Sequence, residues 1–94
     1  MQETLSPKLV EKEKIAHLTF KNKVKFKQAP DLMKKLEDAT RLGNTAKVKF
    51  HIDFHTDTGL HTVQTTIWAT GTKFICLKGG VWIPISHIVD VRSI

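Results

Sequence analysis

The stretch Val48-Lys49-Phe50-His51-Ile52-Asp53-Phe54-His55 decides how this chain is read. Its apolar residues fall on every second position and its polar ones between them, the pattern of a strand with one buried and one wet face. Asp57-Thr58-Gly59 then offers a turn into a second strand at about 60–69, and Thr70-Gly71-Thr72 a turn into a third over 73–78. Gly79-Gly80 suits a two-residue hairpin turn with positive φ at both positions. A short strand over 81–83 stops at Pro84, and Ile88 opens a last one. Five short strands joined by tight turns predict a small antiparallel barrel over 45–94, because closure removes exposed sheet edges.

Upstream the period changes. Leu32, Leu36, Ala39 and Leu42 share one helical face behind Pro30 and Asp31, and Gly43-Asn44 supplies a stop able to take positive φ. Ser6-Pro7 resembles a helix start, with a thin apolar stripe of Leu9, Val10 and Ile15 after it. Residues 18–28 fit two patterns. Leu18, Phe20, Val24 and Phe26 alternate with lysines as a strand would, while Phe20, Val24, Gln28, Leu32 and Leu36 form a helical seam that Pro30 would interrupt. Helix is preferred, since the strands for a closed sheet lie downstream. The expected fold is therefore α+β, one domain over 1–94: a helical segment over 1–44 followed by the five-stranded barrel.

The chain has 94 residues, 40% hydrophobic and 26% charged, which is a globular balance. At this size a large buried catalytic cavity is improbable. The single Cys76 excludes an internal disulfide and a thiolate-rich zinc site. No apolar run approaches the ~20 residues that span a bilayer, and no signal-peptide stretch opens the sequence, so a soluble cytoplasmic protein away from membranes is expected.

The net charge of +6 lies wholly in residues 1–49, where 12 basic groups face 6 acidic ones. Lys21, Lys23, Lys25 and Lys27, with Lys47 and Lys49, form its densest part. Closely spaced ammonium groups without acidic partners attract a polyanion, nucleic acid or an acidic protein, and favour phosphate over base edges. The plain alternative is a solvated lysine-rich surface.

Other residues carry less. His51 and His55 on one strand are separated by about 13 Å, too far to share a metal at ~2 Å bonds. Placing Ile52 and Val63 on one face puts His61 on the face of Phe54, opposite His51 and His55. No metal or other cofactor is expected. Cys76 alternates with Phe74 and reads as a small buried hydrophobe, and no nucleophile elbow or phosphate loop is present, so no catalytic residue is assigned. Trp68 and Trp82 either face outward as an aromatic platform or fill the barrel ends; with no tyrosine in the chain, filling is preferred.

The segment Val81-Trp82-Ile83-Pro84-Ile85-Ser86-His87-Ile88 resembles the close of SH3-like barrels, where an Ile-Pro pair ends a strand and one helical turn precedes the last strand. His87 stands where peptide-binding members carry a ligand-contacting tyrosine, which adds it to Trp68 and Trp82 as a possible interaction surface. The acidic loop and paired tryptophans that grip proline-rich peptides have no counterpart. The helix-then-strands order is similar to Sm-like barrels, including the small Rho-binding antiterminator proteins. The stretch Thr65–Pro84 resembles short bacterial proteins with no assigned activity, and implies no functional residues. The expected function is a non-enzymatic small-barrel binding module, sequence-tolerant toward nucleic acid through its lysines; the alternative is a protein-interaction or assembly module.

Overall fold

A computed structural model describes residues 8–21 and 25–94. The alternating stretch forms β2 (Phe50–Thr56), with Phe50, Ile52 and Phe54 buried. It pairs antiparallel with β3 (Gly59–Thr65), Ile52 opposite Val63 and Phe54 opposite His61. On its other side β2 pairs with β7 (Ile88–Ser93), and a two-residue β1 (Lys8–Leu9) adds in parallel to β3. This four-stranded sheet has the order β1-β3-β2-β7. A separate three-stranded sheet follows from β4 (Ile67–Thr70), β5 (Phe74–Leu77) and β6 (Val81–Pro84), all antiparallel.

The expected five-stranded barrel is therefore wrong. The described residues form seven strands in two sheets, and the barrel does not close. The reason lies in the stretch expected as one strand over 60–69. It breaks at Thr66, and its two halves enter different sheets as β3 and β4. The edge strands β4 and β7 do not pair with each other, and a helix packs against both. Helix α1 (Leu32–Ala46) packs on β4 and β7, burying Leu32, Leu36 and Ala39. Asn44 Nδ2 donates to the Trp68 carbonyl at 3.2 Å, and the Thr40 and Thr70 hydroxyls meet at 2.6 Å. The helix thus covers an edge that would otherwise be open to pairing.

Helix α1 lies in the middle of the chain, and it is the one α-helix among the described residues. Gly43 is not its stop. A Cβ there would stand 2.6 Å from the Ile67 carbonyl oxygen, so the glycine serves close approach to β4 while the left-handed residue is Lys47, φ 55°. Ser6 and Pro7 lie outside the described residues. After them come β1 and a 3-10 helix (Lys12–His17) rather than an amphipathic α-helix, and of its apolar stripe only Ile15 is fully buried.

Residues 18–21 and 25–29 form neither helix nor strand. Both described segments, together the strap, lie against one end of the four-stranded sheet and the 3-10 helix that leads into β7. Phe20 packs on Phe54 and His87, Phe26 on His55, and the Gln28 side-chain amide donates to both the Ile85 and Ile88 carbonyls at 2.8 Å. These tertiary contacts override the helical seam, which Pro30 would have broken in any case. β7 bulges at Val89, and the freed carbonyl accepts the Ala29 N–H.

Candidate nucleic-acid interface

Ile75, Leu77 and Ile83 turn inward from β5 and β6, together with Ile67 of β4, and all four are fully buried. Period two then sends the residues between them outward. Trp68, Phe74 and Trp82 are 47%, 46% and 57% exposed, so the three large aromatics of this sheet all face solvent. The tryptophans do not fill barrel ends, because Ile67 and Ile83 beside them occupy the core. Trp68 sits on a bulge of β4, without a partner between the pairs Ile67–Leu77 and Ala69–Cys76. Phe74 and Trp82 contact edge to face, 6.4 Å apart at 85°, the arrangement that the ring quadrupoles favour.

Cys76 lies between Ala69 and Trp82 in the ladder and is half-exposed, which corrects its reading as a buried hydrophobe. Its face is apolar and uncharged at the centre. Lys73 precedes Phe74 at one end of β5 and Lys78 follows Leu77 at the other, both exposed. Between Asp57 and Asp90 the sequence contains no aspartate or glutamate. That acid-free run was the missed signal, and so was the period-two frame that puts Phe74 on the outer face.

His87 does not belong to this surface. It is buried in the second 3-10 helix (Ile85–His87), with Phe20 edge-on to its ring at 5.2 Å and the Ser86 hydroxyl 3.2 Å from Nδ1. The lysine series is divided: Lys21 and Lys49 stand at opposite ends of β2. Lys21 lies next to the β2–β3 turn, its N–H donating to the Asp57 carboxylate at 3.3 Å, whereas Lys49 precedes β2. The seven residues of β2 hold these positions about 20 Å apart. Lys25 and Lys27 are exposed on the strap, Lys47 is exposed at the end of α1, and Lys23 lies outside the described residues. Lys49 instead joins Lys12 and Lys78 along a groove of about 440 Å³ that Glu11 and Glu13 also line.

The histidines stand apart from the aromatic face. Burial holds His55 below its usual pKa, and the nearby His87 adds to the effect; burial likewise lowers His61, with Lys8 adding its charge. Asp53 takes a bidentate bond from Arg92, 2.7 and 2.9 Å, which raises the Arg92 pKa. Among the described residues no three His, Cys, Asp or Glu side chains stand close enough to hold a metal ion. No helix among them is long and apolar enough to cross a membrane.

The fold and its outward face thus define a two-sheet α+β domain with exposed aromatic residues on the smaller sheet, whose strands contain no aspartate or glutamate. No protein-family model, curated protein or solved structure matches the chain.

Proposed function

We propose that the protein is a non-enzymatic binding module for single-stranded nucleic acid, sequence-tolerant, and that its binding face is the outer face of β4–β5–β6. The observation that carries the reading is the joint exposure of Trp68, Phe74 and Trp82 on one sheet face without a carboxylate in the strands that bear them. Bases of any identity stack on such rings, each contributing on the order of 1–3 kcal/mol. Lys73 at one end of β5 supplies a phosphate contact, and the net charge of +6 steers a polyanion toward the molecule. The scattered lysines at 21–27, 47 and 49 act in this reading through the long-range field rather than as a single contact stripe.

Anisotropy of a labelled oligothymidylate at 50 mM salt tests this. The Trp68→Ala/Trp82→Ala double variant is expected to lose affinity by tenfold or more, with its circular dichroism unchanged. Equal affinity in the folded double variant would refute the assignment. A second reading, docking of a protein or a second copy, draws on the uncharged centre of the same face, Ala69 and Cys76. Self-association in sedimentation velocity, removed by the same double variant, would favour it.

A further inference from the structure

At the strap-side end of the aromatic face, Thr72, Lys73, Phe74, Pro84, Ile85 and Ser86 surround an open depression of about 500 Å³. Its walls are fixed by the backbone. The Gly71 N–H donates to the Phe74 carbonyl and the Ile85 N–H to the Lys73 carbonyl, both at 2.8 Å, while Phe74 pairs with Pro84 across the sheet. Phe74 and Pro84 present flat apolar surfaces, Thr72 and Ser86 bring hydroxyls, and Lys73 is the one charged side chain in the lining.

We infer that this depression seats one nucleotide of a bound single strand, its base against Phe74 and Pro84 and its phosphate on the Lys73 ammonium. The inference rests on the proposed function and adds to it an anchoring position and a direction of travel, from the depression over Phe74 and Trp82. Charge decides the occupant. An aromatic peptide side chain would fit the apolar walls but leave Lys73 without a counter-charge, whereas a nucleotide supplies base and anion together.

The test uses the full chain and anisotropy of labelled oligothymidylates of increasing length, between 50 and 200 mM salt, with Lys73→Ala, Lys25→Ala and Trp68→Ala/Trp82→Ala variants checked for folding. Lys73→Ala is expected to weaken binding several-fold and to flatten the log affinity against log salt slope by about 0.7, one phosphate contact. Lys25→Ala, which removes a charge from the long-range field but no contact, should lower affinity less than Lys73→Ala does. Thymidine monophosphate should compete with a short oligomer at concentrations where inorganic phosphate does not. If oligomers bind through the tryptophans but Lys73→Ala keeps the parental slope, the nucleotide seat is wrong and the binding face stands. If no oligomer binds at 50 mM salt, both fall. Competition by a tryptophan-containing peptide, with none by the mononucleotide, would overturn the seat in favour of a peptide pocket.

Discussion

At the scale of single residues, Gly43 shows how a helix position is set by its neighbour rather than by its own helix. Alanine is the better helix former by about 1 kcal/mol, so on an isolated helix Gly43→Ala would stabilise. Here the new Cβ would meet the Ile67 carbonyl oxygen at 2.6 Å and the Thr66 methyl at 2.7 Å. The carbonyl belongs to backbone and cannot swing aside. Overpacking of this kind costs about 1–3 kcal/mol, and urea denaturation of Gly43→Ala should show a net loss of stability.

His55 and His61 set a pH dependence at the same scale. Both are held below the ordinary value of 6.5 by burial. The unfolded chain therefore binds more protons than the folded one in that range, so stability is complete above about pH 6.5 and is lost as pH falls through the folded values. His61 adds a geometric cause: Nε2 meets the Thr58 hydroxyl at 3.1 Å, but the buried Nδ1 has no acceptor among the described residues for a second proton. The urea midpoint should decline from pH 7.5 to pH 5, and His61→Gln should flatten that decline.

At the scale of elements, α1 packs against an edge strand of each sheet, β4 and β7. Leu36 is fully inaccessible between the sheets, and its backbone carbonyl accepts the Thr40 and Thr70 hydroxyls. Leu36→Ala should cost about 2–5 kcal/mol, read as a lowered denaturation midpoint with the unfolding slope retained. The sequence made much of this level legible. Strict alternation located β2, the shared face expected for Ile52 and Val63 agrees with their pairing in the β2–β3 ladder, and Gly79 and Gly80 do adopt positive φ, in a loop that also includes Lys78. Non-local causes stayed hidden. Nothing in the run Thr62-Val63-Gln64-Thr65-Thr66-Ile67 announces that the chain changes sheets at Thr66. Nor does local pattern reveal that Gln28 would bridge two carbonyls some sixty residues away and so tie 25–29 to the start of β7.

At the scale of the whole molecule, charge and aromatic surface are arranged separately. The cationic front half was the evident feature of the sequence, yet folding spreads its lysines over both ends of β2 and the end of α1, while the exposed rings gather on the small sheet. The outward direction of Trp68 and Trp82 was available from the alternation with Ile67 and Ile83. It was obscured by the expectation that a small core needs every large aromatic, which Phe50, Phe54 and the aliphatic residues satisfy instead. Replacing Lys21, Lys25 and Lys27 together with alanine should slow association at low salt and lower affinity modestly, with little effect left at 200 mM salt where the field is screened. Stopped-flow fluorescence separates that steering effect from the contact loss caused by Trp68→Ala/Trp82→Ala.

The most direct measurement is amide and indole chemical-shift mapping of the full chain titrated with oligothymidylate at low salt. Binding across the small sheet predicts perturbations concentrated in the Trp68 and Trp82 indole N–H signals and the amides of 67–84. Shifts confined to the lysine strap around 25–29, or none at all, would contradict it.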